Sequence, residues 1–143
     1  MKHLEIALRE YGVKGITGIL HSNTILKYFK DIGHGWVKDD ETAWCAAFLN
    51  WVLLKAGHQH TGSLAARSFL NYGTLTTKPE LGDIVVLWRI RKDSPFGHVG
   101  IYISETKNDI YILGGNQDNM VNITAFPKSR VLAYRTLSTK KRA

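Results

Sequence analysis

A chain of 143 residues can bury one core of its own and is too short for a second module of ordinary size. With 44% hydrophobic and 22% charged residues, composition excludes a disordered or low-complexity protein, and 19 Lys and Arg against 12 Asp and Glu leave a charge of +7 suited to a polyanionic partner. The single cysteine, Cys45, excludes an intramolecular disulfide and a cysteine-rich zinc site, and no metal is expected.

Charges are scattered through the first ten residues, so no Sec signal is expected. The longest apolar run, Trp51 to Leu54, is far below the ~20 residues that cross a bilayer, and no integral membrane association is expected. Leu4, Ala7, Leu8 and Tyr11 share one helical face that Gly12 can end. Ser22 or Asn23 can cap a second helix carrying Ile25, Leu26, Phe29 and Ile32 to a stop at Gly33. A third helix, from about Thr42 to Ala56, is apolar nearly all round and reads as the central, buried one. Ser63 then caps a shorter helix from Leu64 to Tyr72, followed by a loop from Thr74 to Glu80.

Beyond Glu80 the pattern changes to short β-branched and aromatic runs broken by Gly, Pro, Asn and Asp: 84–88, 98–103, 110–113, 121–124 and 130–134. Helices first and strands second, with connections too short for parallel crossovers, predict an α+β domain over 1–143 in which N-terminal helices pack on a C-terminal antiparallel sheet. Residues 138–143 read as a frayed basic tail.

With Thr42 as N-cap, Cys45 falls in the first turn of the third helix. Unpaired backbone N–H groups and the helix dipole there stabilise a thiolate, the nucleophilic form of cysteine, and can receive an oxyanion. The competing reading is a packed core cysteine, since free Cys is among the most buried residue types. A thiol nucleophile wants an imidazole base. His3, His21, His58 and His60 read as solvated, and His34 lies in the loop leading to the cysteine helix. His98 alone stands at the entry of an apolar strand, with Gly97 before it and Gly100 close behind. If the hairpin after it pairs symmetrically about Lys107, partner numbers sum to 214 and Asn116 lies opposite His98, able to orient the ring. The alternative for Asn116 is a turn residue in Gly114-Gly115-Asn116-Gln117. Asp83 reads as a cap for the turn into its strand.

The segments Asp39-Asp40-Glu41-Thr42-Ala43-Trp44-Cys45-Ala46-Ala47-Phe48, Leu81-Gly82-Asp83-Ile84-Val85-Val86, Gly97-His98-Val99-Gly100-Ile101-Tyr102 and Leu113-Gly114-Gly115-Asn116-Gln117 resemble, in order, the NlpC-type and CHAP superfamily of bacterial cell-wall cysteine peptidases and amidases. The resemblance implies a papain-like core with Cys45 as nucleophile, His98 as base and Asn116 as orienter, and no cofactor. Arg67-Ser68 resembles a segment lining the substrate groove in some relatives, and Trp36, Glu41, Trp44 and Gln117 are groove candidates by nearness in sequence.

The expected activity is hydrolysis of an amide bond in the peptide of bacterial peptidoglycan, as an endopeptidase or an N-acetylmuramoyl-L-alanine amidase. The expected setting is a phage endolysin or a secreted antibacterial effector, made in the cytoplasm and acting at the wall after lysis or secretion. A delivery system or an immunity protein is then the expected further partner. The alternative is a wall-binding domain without catalysis. Nucleic-acid binding is disfavoured by the lack of a long basic helix or an aromatic-interleaved basic stripe.

Overall fold

The computed structural model describes residues 1–15, 22–37 and 43–137. Three helices, α1 (Lys2–Arg9), α2 (Asn23–Asp31) and α3 (Cys45–Lys55), precede six strands: β1 (Thr74–Thr76), β2 (Ile84–Trp88), β3 (Gly97–Glu105), β4 (Asp109–Gly114), β5 (Asn122–Pro127) and β6 (Val131–Thr136). The strands form one antiparallel sheet in the order β1-β6-β2-β3-β4-β5. None of the described helices is long and apolar enough to cross a membrane.

The expected α+β architecture is present. Helix α3 is buried on nearly every side, from Cys45 to Leu53, because its apolar residues do not confine themselves to one stripe. One face meets β3 and β4, and the others are covered by α1 and α2. Tyr28 of α2 lies among the rings of Trp44, Phe48 and Trp51, at centroid distances of 6.1, 5.2 and 4.9 Å. Trp51 also donates its Nε1–H to Asp31 at 2.9 Å. The Ser22 hydroxyl caps α2 by accepting from the Ile25 N–H at 3.3 Å.

Several local expectations are corrected. Of the expected helical face, Ala7 is buried and Leu4 packs on the core, but Leu8 and, beyond the end of α1, Tyr11 face solvent, and His3 is buried instead. His3 was read as solvated; it is enclosed, with Nε2 2.8 Å from the Gly82 carbonyl. The helix expected over 64–72 is a 3-10 turn over Ala66–Asn71. Thr74–Thr76, expected as loop, is an edge strand paired to β6. Asp83 does hold its turn, accepting from the Glu80 N–H at 2.8 Å. The Thr42 cap and the 138–143 tail lie outside the described residues.

Asn50 is the fully buried polar side chain of α3. Its Oδ1 accepts from the Thr61 N–H at 2.8 Å and its Nδ2 donates to the Ser63 carbonyl at 2.9 Å, anchoring the chain that leaves the helix. Asn50→Leu leaves both backbone groups without a partner, and thermal unfolding is expected to show a loss of about 1–3 kcal/mol.

Candidate active site

Cys45 is the first residue of α3, and its side chain is 5% exposed. His98 follows the first residue of β3 and is 6% exposed. The two side chains interact, each acting on the charge of the other. Burial alone pushes the thiol up, yet the nearby imidazole and the backbone N–H groups of Val99 and Ala46, all stabilising the sulfur anion, outweigh it and hold Cys45 below the ordinary thiol range. Burial likewise pushes His98 down, and the charge of Arg89 works the same way. Interaction with Cys45 and the contact with Gln117 prevail, leaving the imidazole more basic than usual. Both shifts favour a thiolate–imidazolium pair.

The ring is oriented by Gln117, with His98 Nε2 2.9 Å from Gln117 Oε1. The Gln117 amide can face only one way. Its Nε2 donates to the Ile112 carbonyl at 3.0 Å and to the Asn122 carbonyl and Oδ1 at 2.8 and 2.9 Å. Oε1 is therefore the atom toward the ring, so His98 Nε2 carries the proton and Nδ1 is left for Cys45. Asn122 is fixed in turn, donating to the Gln117 carbonyl at 3.0 Å and accepting from the Thr124 hydroxyl at 2.6 Å.

Asn116 was expected in that orienting position. The pairing that predicted it holds near the site, where Ile101 faces Leu113 and Tyr102 faces Ile112, both in the 214 register. Nearer the turn, Ser104 faces Tyr111 and Glu105 faces Ile110, one residue out of step, and a bulge between Tyr102 and Ser104 absorbs the difference. Strand β4 nevertheless ends at Gly114, and Asn116 turns away at φ 56°. Asp118 and Asn119 also have positive φ, at 55° each, leaving Gln117 as the buried member of the turn. Gln117 had been placed in the substrate groove. Asn and Asp tolerate the left-handed conformation better than Gln, and that contrast is the signal a reader of the sequence could have used.

Two glycines make the approach feasible. A Cβ on Gly114 would stand 2.5 Å from Gln117 Oε1, and one on Gly115 would stand 2.7 Å from both Trp44 and Phe48 of the α3 region. Gly-Gly thus lets helix, strand and glutamine meet.

The remaining groove candidates are dispersed. Trp44 is fully buried, its Nε1–H on Asn119 Oδ1 at 3.3 Å, and is a core residue. Arg67 spends its guanidinium on the carbonyls of Phe96 and Lys92, both at 3.0 Å, clamping the β2–β3 connection. Ser68 is engaged with Thr61 at 2.7 Å. Trp36 is exposed and donates to His34 Nδ1 at 3.1 Å, and the other nitrogen of His34 is on the Gly62 carbonyl at 2.6 Å, which removes His34 as a base for Cys45. Glu41 lies outside the described residues. Beside His98 opens a cleft of about 430 Å³, which Asn116 also lines. A cleft of about 560 Å³ between α1 and α3 is larger, but it is lined by Lys, Arg, Glu, Ile and Trp with no nucleophile.

A thiol at a helix start, set against an imidazole at a strand start on an antiparallel sheet, defines the papain-like class that includes the NlpC and CHAP cell-wall peptidases. The CHAP domain model matches residues 37–116, more than half of the sequence, and the chain belongs to the CHAP domain family, a family of peptidoglycan hydrolases. A solved structure described as similar to a lipoprotein of the NLP/P60 family, from Staphylococcus aureus, shares the fold with a TM-score of 0.55 at 17% identity. The match covers 96% of this chain and 40% of that one. No curated protein matches the sequence.

The charge pair has a measurable consequence. A lowered thiol value means that thiolate persists below the ordinary range near pH 8.5, so alkylation of Cys45 by iodoacetamide is expected to stay fast there and to fade as pH drops through the lowered value. In His98→Ala only the Val99 and Ala46 N–H groups still oppose burial, and the rate near pH 7 is expected to fall about tenfold or more, one pKa unit being a tenfold change in thiolate. Gln117→Leu removes the acceptor that favours the imidazolium, so its profile is expected to lie between those two.

Proposed function

We propose that this domain hydrolyses an amide bond of the bacterial wall peptide by thiol catalysis, with Cys45 as nucleophile, His98 as base and acid, and Gln117 as the residue that orients the ring. One observation carries the reading: the Cys45 thiol at the first turn of α3 is paired with an imidazole whose Nε2 is held by Gln117, and the pairing stabilises the sulfur anion. A packing cysteine needs no such partner.

In the reaction the Cys45 sulfur attacks the carbonyl carbon and the π electrons move to oxygen. The N–H of Cys45, unpaired within the helix as first-turn groups are, receives the oxyanion. The Ala46 N–H is already engaged with sulfur. Protonated His98 gives its Nδ1 proton to the leaving amine, the C–N bond breaks and a thioester remains. Neutral His98 then takes a proton from water as the water oxygen adds to the thioester; collapse expels the thiolate, releases the carboxylic acid and restores the ion pair. Throughout, Nε2–H stays on Gln117, which is neutral and does not exchange the proton.

We further propose that the 1–143 span works as one hydrolase domain that reaches the wall through lysis or secretion, as a phage endolysin or an antibacterial effector. The +7 charge supports attraction to an anionic wall.

Cys45→Ala is expected to lower release of soluble muropeptides from purified sacculi by roughly 10⁴-fold or more, and Gln117→Leu by about 10²-fold. Mass spectrometry of the products identifies the bond: a new amine at L-alanine marks an amidase, and one at a later residue an endopeptidase. Undiminished solubilisation by Cys45→Ala would put the hydrolytic centre elsewhere, and binding of sacculi without solubilisation by the wild type would leave the wall-binding alternative.

A further inference from the structure

The cleft beside His98 carries two arginines that the chemistry at Cys45 does not use. Arg130 is held flat. Its Nε and Nη2 donate to the Trp88 carbonyl at 3.2 and 3.0 Å, and its guanidinium carbon lies 5.6 Å from the Trp88 ring centre and 5.7 Å from that of Phe126. Phe126 is in turn stacked on His98, with centroids 5.1 Å apart and planes 29° from parallel. Base, aromatic ring and guanidinium therefore form one packed unit. Arg130 still has N–H groups to offer, since two of its five serve the Trp88 carbonyl.

Arg89 lines the same cleft, exposed, and its charge is felt by the His98 ring. Among the described residues no acidic side chain forms an ion pair with either arginine. Asp118 is the acidic residue lining the cleft, so an excess of one positive charge remains even with His98 neutral. Asn116, displaced from the orienting role, adds a carboxamide to the lining. The volume of about 430 Å³ suits a short stretch of peptide.

We propose that this cleft is a carboxylate-binding subsite, in which Arg89 and Arg130 select wall peptides bearing a free carboxylate near the scissile amide over their amidated forms. The proposal rests on the reading of Cys45 and His98 as the hydrolytic pair, since His98, which lines the cleft, is the residue that joins it to the nucleophile. Arg130 suits the task because its plane is fixed before the ligand arrives, so little side-chain entropy is lost on binding. Asp118 at the same cleft disfavours a second carboxylate beside the first.

The test uses Cys45→Ala protein, which cannot turn over, and two synthetic muramyl tetrapeptides, one with free stem carboxylates and one with every stem carboxylate as carboxamide. Calorimetric titration is expected to give about tenfold or more tighter binding of the free acid, as for a charge-assisted pair. Adding Arg89→Gln or Arg130→Gln should reduce that ratio below about threefold while leaving affinity for the carboxamide unchanged. Arg130 packs on two rings, so Arg130→Gln is checked by thermal unfolding, and the exposed Arg89→Gln gives the same test without that risk. Equal affinities, no measurable binding of either peptide, or a preference that survives both substitutions would overturn the subsite.

Turnover by the wild type separates the two ideas. Cleavage of both peptides with equal affinity leaves the hydrolytic reading standing and removes the subsite. A free-acid preference without any new amine from the wild type keeps the subsite and removes the hydrolytic reading.

Discussion

The close approach of the α3 N-terminus to the ends of β3 and β4 is the constraint from which the rest follows. Gly115 has no room for a Cβ because Trp44 and Phe48 already occupy that space, and Gly114 has none because Gln117 does. The helix can then rest its first turn against Val99, whose N–H reaches the Cys45 sulfur. Trp44, enclosed at the helix start, is the wedge that fixes this distance, and its partners Tyr28 and Asn119 come from segments far apart in the chain. A buried thiol gains its reactivity here from geometry that the core enforces, since burial by itself acts against the anion.

The imidazole is restrained from the opposite side by a relay of neutral amides. Gln117, Asn122 and Thr124 form a hydrogen-bonded chain in which the Gln117 Nε2 faces acceptors alone, so the glutamine cannot flip without setting oxygen against oxygen. The result is that His98 Nε2 keeps its proton in both charge states of the ring. The face of the ring meanwhile rests on Phe126, which links the base to the sheet edge and to the arginine beyond it.

Much of this was readable in the amino acids and part of it was not. Helix α3 and the strands β2 to β4 announce themselves by apolar runs that become buried, and β5 and β6 by short β-branched and aromatic runs bounded by turn residues. The thiol and imidazole were recognisable for a related reason, as polar chemistry placed at the boundaries of those runs. Strand β1 was invisible, since Thr-Leu-Thr has no pattern of its own and becomes a strand by pairing with β6 from the far end of the chain. The face of α1 was legible in Leu4 and Ala7 but not in His3, which finds a carbonyl inside the fold that no helical wheel records. The expectation for Asn116 fails because it extends strand register two residues past the point where β4 stops.

That last displacement bears on how such sites diverge. The residue behind His98 is selected by the backbone of a turn in which three of four successive residues are left-handed, and the ladder of the sheet has no part in the choice. Gaining or losing one residue in the turn would present a different side chain to the imidazole while every strand kept its partners. The third position of the site is thus free to drift in type and in numbering across descendants of a common scaffold, whereas cysteine and histidine, tied to a helix start and a strand start, are held in place.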